Sequence, residues 1–507
     1  MSERLNDQSG QISVFLSLLF FLMLGMGVLV FGGMREYAKS SLAEEAFDHA
    51  GEDVLAQYDR ALFQRYHVFM MDPREEAHIE EDGKASAEEV FASGSFFRGM
   101  ETTISMESNE KALDDDGKAL LNQIRKWETL RGIKKIPDAI KELLKSTEKK
   151  SVEKALSGVE EERKTEEDPD REQERGPETE EEKRTKKTWR EWKEVLGNIL
   201  DSGILLYVIE DQDRISSLQL SSLKDLPSKE IRRNEVFSSL DHLSLTGLSQ
   251  LKELCRKGLK VDKNSSLLSS DACLIPYIFE CFTHYRKGEE GDKTHCLRYE
   301  IEYMLGGKTK DKANLKVVAD QIFLLRFLVN YGYAVTSPEI RGEAESMAVI
   351  LSGILGFPEG EKAVTSLLIA SLSYGESLLE VKALFSGEKV ALVKSRDSWN
   401  LSFANAAAKL AGRSGIKKVK NGAGYEQYLA GLLILRTGSR RLLYRMMDIM
   451  QTNVALDEPG FLIKQCISSF SWKGSFTWTP FFRRVIGFGL VPSERYTLEI
   501  EKTLFYD

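Results

Sequence analysis

The sequence predicts an α+β fold, mostly α-helical, with an N-terminal transmembrane helix that continues into a long amphipathic helix. Three observations carry this expectation. No charged residue occurs from Gln8 to Met34. Strict apolar/polar alternation appears around Met100 and again after Ser475, at opposite ends of the water-facing part. Between Trp189 and Gln465 the apolar residues fall mainly at helical spacing.

The uncharged segment comes first. Residues 12–31 are almost wholly apolar, and a helix of that length covers the ~30 Å hydrocarbon core of a bilayer. A cleaved secretory signal is the competing reading, but its core is usually ~7–15 residues and is followed closely by a small-x-small site. Here the nearest such site, Ser41-Leu42-Ala43, lies ten residues beyond Phe31, so a retained single-pass anchor is expected. Arg4, Glu3 and Asp7 on one side and Arg35 and Lys39 on the other give no orientation by charge.

Beyond the anchor, Ala43, Phe47, Ala50, Val54 and Ala61 mark one helical face, widened by Leu42, Ala46, Tyr58 and Leu62. One helix from about Gln11 to Arg65, roughly 80 Å long, is the simplest account; two helices hinged at Gly32-Gly33 is the alternative. Next, Met100, Thr102, Ile104 and Met106 alternate with Glu101, Thr103, Ser105 and Glu107 as a half-buried strand.

Residues 148–187 interrupt the pattern. Fifteen acidic and eleven basic residues among these forty leave too little apolar area to offset the entropy of ordering, which predicts a linker or insertion. The expected organisation is thus 1–33 with the anchor, 34–147 membrane-proximal, 148–187 linker, 188–465 helical and 466–507 β-rich. In the helical part, Leu315, Val318, Ile322, Leu325 and Val329 keep a 3–4 spacing, and Ser337-Pro338 suits a helix start. At the C-terminus, Phe476 and Trp478, then Tyr496, Leu498 and Ile500, alternate with polar residues. The N-terminal strand needs a partner, and these runs supply one. Met100, Ile104, Phe476, Leu498 and Ile500 are expected on a shared face, packed on the long helix.

A net charge of −9 argues against nucleic acid as a partner. Five cysteines without regular spacing argue for buried free thiols over a disulfide scaffold. Gly306-Gly307-Lys308-Thr309 resembles the end of a phosphate-binding loop, but Glu302 stands where the first glycine belongs, so a surface turn between two helices is expected and no nucleotide. Cys281, His284, His295 and Cys296 are zinc-type ligands whose second pair is adjacent, awkward for one tetrahedral site. Glu300 and Glu302 diverge by about 200° on a helix, which favours a solvent face or a structural ion pair over acid/base chemistry. No hydrolase motif occurs, and no catalytic, cofactor or metal residue is assigned.

Several segments together resemble a known family. They are Gly10-Gln-Ile-Ser-Val-Phe-Leu-Ser-Leu18, Tyr66-His-Val-Phe-Met-Met-Asp72, Tyr299-Glu-Ile-Glu-Tyr-Met-Leu-Gly-Gly-Lys308 and Asn314-Leu-Lys316. Leu325-Arg-Phe-Leu-Val-Asn330, Gly387-Glu-Lys-Val-Ala-Leu-Val-Lys394, Tyr425-Glu-Gln-Tyr-Leu429 and Arg445-Met-Met-Asp-Ile-Met450 continue the match. The chain is similar to clostridial membrane proteins of domain-of-unknown-function family 5702. The resemblance implies association with tight-adherence (Flp-type) pilus genes, a TadE/TadG-like minor-pilin N-terminus, and a soluble bulk outside the membrane. It brings no catalytic residues. Prepilins carry a Glu five residues after the cleaved Gly, whereas counting from Gly10 that place holds Phe15. The expectation is therefore a non-enzymatic accessory envelope protein, its N-terminus cytoplasmic, touching lipid through its helix and other pilin-like or envelope proteins. Ser13 and Ser17 are the best small-residue helix contact in the anchor. An envelope enzyme acting on wall polymer or peptide is the alternative.

Overall fold

The first proline is Pro73, and nothing before Leu55 forbids a helix. In the computed structural model, α1 accordingly runs unbroken from Glu3 to Leu55. Residues 3–92, 100–131, 179–220, 225–231, 274–354, 360–419, 422–436, 440–481 and 495–506 are described. They divide into two units, Met1–Gln123 with Phe461–Asp507, and Ile124–Gly460.

In the first unit, α1 stops ten residues short of the expected Arg65. Asp59 is the cause. Its N–H donates to the Met70 carbonyl (2.8 Å) and its carboxylate accepts from the Leu62 N–H (2.6 Å), capping a separate α2 (Arg60–Tyr66). His67, at φ 54°, closes that helix through its N–H to the Phe63 carbonyl. The run Val68–Met71, with Val68, Met70 and Met71 buried, then reaches Ile467, and Met71 and Ile467 exchange backbone hydrogen bonds of 3.0 and 2.9 Å. Helix α3 (Glu76–Ala92) follows.

Five strands occur among the described residues: β1 (Glu101–Lys111), the two-residue β2 (Val390–Ala391) and β3 (Gly422–Ala423), β4 (Ile467–Trp478) and β5 (Tyr496–Phe505). β1, β4 and β5 form one antiparallel sheet with β4 central, so strands from the two ends of the water-facing region do share a sheet. Thr102 stands opposite Phe476, and Phe476 opposite Leu498. β4 begins eight residues earlier than the Ser475 expected, because Phe470, Trp472 and Gly474 already keep the buried phase of its alternation. That face packs on Ala43, Ala46, Phe47, Ala50 and Val54 of α1 and on Ile79, Ala87 and Phe91 of α3. Small residues on α1 let the sheet approach. At Gly474 a Cβ would lie 2.5 Å from the Phe47 ring, so glycine there admits a large aromatic. Each buried Phe or Trp contributes roughly 1.5–3 kcal/mol.

The boundary between the units falls inside α4 (Lys118–Leu130). The second unit holds α5 (Glu180–Ser202), α6 (Ile204–Val208), α7 (Leu274–Cys281), α8 (Glu300–Gly306), α9 (Asp311–Thr336) and α10 (Pro338–Ile354). It continues through α11 (Glu361–Phe385), α12 (Phe403–Ala411), α13 (Tyr425–Ile434) and α14 (Arg440–Asp457). α11 is its axis: from Leu368 to Phe385 every residue but Lys382 is buried, with α9 and α10 against it. α10 starts at the expected Ser337-Pro338. α5 opens inside the charged stretch through a Thr179–Glu182 capping box, so the last residues of that stretch are helical. Residues 148–178 lie outside the described ones.

Candidate functional site

Residues 12–30 of α1 are almost wholly apolar and almost all exposed. Ile12, Phe15, Phe20, Phe21, Met23 and Phe31 are each 59–69 % exposed. Among the described residues this is the one helix long and apolar enough to cross a membrane. So large an exposed apolar surface marks a contact with membrane or protein.

Burial begins at Gly32, where the end of β4 meets the helix. Trp478 Nε1–H donates to Glu36 Oε2 (2.6 Å), and the Phe481 N–H donates to Glu36 Oε1 (2.7 Å). Phe31 and Phe481 meet edge to face at 5.7 Å, with the Arg35 guanidinium 5.3 Å from the Phe481 ring centre. Lys39 is buried with its ammonium 5.8 Å from the Trp478 ring, and Trp478 packs on Tyr496 at 4.8 Å. Cation–π attraction of this kind grows as water is excluded. The residues form a partial collar of aromatic rings and cations against one side of the helix. Sequence reading missed it, although its signals were present: the first acidic residue after the apolar run, and a Trp ending a strand.

The Tyr299–Tyr303 segment lies on a helix, as expected, but not on a solvent face. Glu300 and Glu302 are both fully buried. α8 is short and enclosed, and its carboxylates satisfy a neighbouring extended segment. Thr283 N–H donates to Glu300 (2.9 Å) and Tyr285 N–H to Glu302 (2.9 Å), residues two apart on one chain. Asn453 Nδ2 also donates to Glu300 (2.6 Å), while His295 Nδ1 lies 2.8 Å away. Tyr425 donates its hydroxyl to Glu302 Oε1 (2.7 Å), whereas Glu302 Oε2 has no partner. Burial pushes the Glu302 carboxyl up to about 7, against the opposing pull of Tyr425 and the Tyr285 N–H. Tyr303 donates to Asp448 (2.7 Å). This is a structural knot in which protein groups engage both carboxylates, Glu302 through Oε1 alone.

Gly307 ends α8 in the left-handed conformation (φ 62°), and Gly307–Lys310 is the turn to α9 that the sequence suggested. The turn lines a hollow of about 230 Å³ with Ser228, Lys229, Tyr303, Arg441 and Arg445. Arg445 donates to the Met304 and Leu305 carbonyls (2.9 and 3.0 Å), so it serves the C-terminus of α8. Among the described residues, Cys281, His284, His295 and Cys296 do not gather as metal ligands. His284 is buried against Phe279 and Tyr425, and burial pushes it down to about 4. Cys281, Cys296 and Cys466 are free thiols; Cys255 and Cys273 lie outside the described residues.

A second polar cluster, absent from the sequence reading, joins α9 to α11. Arg326 donates to both oxygens of Glu380 (2.9 Å each), to the Ala391 carbonyl (2.8 Å) and to Tyr428 (3.0 Å). Lys394 donates to Glu376 and Glu380 (2.6 Å each), and Asn330 to Glu380 (2.7 Å). Two cations and two carboxylates, all nearly or fully buried, cancel in charge. Burial works to raise Glu380, but Arg326 and Lys394 hold it below the usual carboxylate range. A lone Arg amid Phe323-Leu-Leu and Phe327-Leu, with two Glu four apart on an apolar helix, was the readable signal.

Among the described residues these features define a mainly helical protein with buried polar clusters and one exposed apolar helix against an aromatic collar. Residues 179–478 match the model of the Family of unknown function (DUF5702), more than half of the chain, and the protein belongs to that family. The match spans α5 to β4 and holds both polar clusters, whereas Gly10–Leu18 and Tyr66–Asp72 precede it. No curated protein and no solved structure matches the chain.

Proposed function

We propose that the protein is a single-pass membrane protein that acts without catalysis, as an accessory, minor-pilin-like component of a tight-adherence pilus or related surface assembly. Its N-terminus is cytoplasmic and its bulk extracytoplasmic. One observation carries the reading: a single helix whose first half is bare and apolar while its second half is packed by an antiparallel sheet. Pilin subunits are built on the same plan, with the bare half held in the bilayer or against neighbouring helices. Phe15, where prepilins place a carboxylate, favours an anchored accessory over a polymerising subunit. Protease added to wall-stripped cells is expected to digest the chain beyond Lys39, with Edman sequencing of the purified protein starting at or near Met1. Full protection of the soluble region, or a mature start near Glu44, overturns the reading.

A further inference from the structure

The collar fixes where the sheet sits along the helix. Residues 12–31 at 1.5 Å each fill ~30 Å, the thickness of the hydrocarbon core. Glu36 then lies ~8 Å past Phe31 along the axis, at the depth of the polar headgroup layer. At this level Glu36 holds Trp478 and Phe481. Higher on the helix, Asp48 pairs with Lys502, and Gly51 meets Leu504. β5 therefore runs away from the bare half of the helix, with Tyr496 at its near end and Phe505 at its far end, ~30 Å apart.

The geometry points to a second membrane contact: the Trp478–Phe481 end of β4 and the start of β5 at Tyr496 rest in the phospholipid headgroup layer beside the helix. The inference deepens the spanning-helix reading and rests on it. Lipid is the occupant because the contact is continuous with the bare helix and has interfacial chemistry. Tyr37 and Tyr496 are exposed amphipathic rings, and Phe481 is half-buried. Tyr and Trp concentrate at this depth, and Arg35 carries a cation suited to phosphate. The Glu36 carboxylate would repel phosphate, but both its oxygens accept hydrogen bonds from Trp478 and Phe481. A sheet held this way lies directly on the bilayer, with no flexible stalk between.

The test uses the full chain in phosphatidylcholine vesicles, with a benzophenone-bearing phenylalanine placed in turn at Phe20, Phe481, Tyr496 and Phe505. All four are exposed or half-exposed, so the fold tolerates the probe. Irradiation is expected to give phospholipid adducts at Phe20, Phe481 and Tyr496, several-fold above Phe505. Glu36→Ala is expected to lower the adduct at Phe481 several-fold and leave Phe20 unchanged. Adducts at Phe20 without adducts at Phe481 and Tyr496 overturn the second contact and keep the spanning helix. Absence of adducts at Phe20 overturns the spanning reading, and the second contact with it. Protein adducts replacing lipid at Phe481 also overturn it.

Discussion

The two units bury their interiors by opposite means. In the first, the centre is apolar: α1 alanines, Phe47, Phe91, Trp472 and Phe476 meet with few polar groups among them. In the second, the centre is charged, with Arg326, Glu376, Glu380 and Lys394 around α11 and with Glu300, Glu302 and Asp448 around α8. An apolar interior is non-directional and tolerates rearrangement of similar volume. A buried charge network tolerates one arrangement, since each group left unpaired costs several kcal/mol. The first unit therefore owes its form to chain topology, the second to specific pairs.

The largest expected effect follows from topology. Truncation after Ser471 removes half of β4 and all of β5, the strands that cover β1 and the α1 face. Amide protection at Ile104 should fall to that of an open chain, although about 370 residues separate it from the cut. Protection around Leu378 in α11 should stay high. Protection retained at Ile104 would mean that β1 is stable without β4. Joint loss at both places would mean that the two interiors are not separable.

The same contrast decided what was legible in the sequence. Ile104, Phe476, Leu498 and Ile500 each alternate with polar neighbours because one face of the sheet meets water, and that pattern gave both the strands and their partnership. The end of α1 was missed because Ala61 and Leu62 keep the helical phase across the break, and only the local cap at Asp59 ends the helix. In the second unit, polar residues at core positions look like a solvent face. Glu300 and Glu302 are the plain case: expected on a helix, on a solvent face or in a structural ion pair, they lie on a helix and are fully buried. Their burial depends on Thr283, Tyr285, Asn453 and Tyr425, distant in sequence and invisible to any local pattern. The collar fell between these cases. Its residues are ordinary, and only the sheet's position on α1 brings Glu36 to Trp478.

The next effect sharpens the contrast within the second unit. Arg326→Met leaves Glu380 with Lys394 as its one cation, beside Asn330, and removes the Arg326 hydrogen bond to the Ala391 carbonyl. Loss of one member of such a pair typically costs 3–5 kcal/mol. Chemical denaturation should report that loss. Combining Arg326→Met with Glu380→Met removes one cation and one anion and leaves the Lys394–Glu376 pair. The double variant should be less destabilised than the sum of the singles, and closer to the parent than Arg326→Met. Simple additivity would mean that the cluster is packing with incidental charge. Phe476→Leu in the first unit, a change of volume without charge, gives the reference for an apolar interior.

The smallest effect is a pH dependence, and it isolates one carboxyl. The Glu302 value of about 7 in the folded protein is above the ~4.3 of an unfolded chain, so the folded state binds the extra proton between those limits. Stability contributed by this group is therefore complete below about pH 4 and is lost as pH rises through 7. His284 has the reverse sign. Its folded value of about 4 is below the usual ~6.5, so its contribution is present above pH 6.5 and lost as pH falls toward 4. In the intact protein the two opposite slopes overlap and mask each other. Glu302→Gln keeps an oxygen to accept from Tyr285 and Tyr425 and cannot ionise. The stability difference between Glu302→Gln and the parent should therefore move in favour of the variant from pH 5 to pH 8, by roughly 2 kcal/mol on the linkage scale. His284 contributes equally to both proteins and drops out. A pH-independent difference would mean that Glu302 ionises in place, its charge balanced by Tyr425 and the Tyr285 N–H. The second unit would then hold a carboxylate in α8 on neutral donors alone, unlike the cation-paired carboxylates of α11.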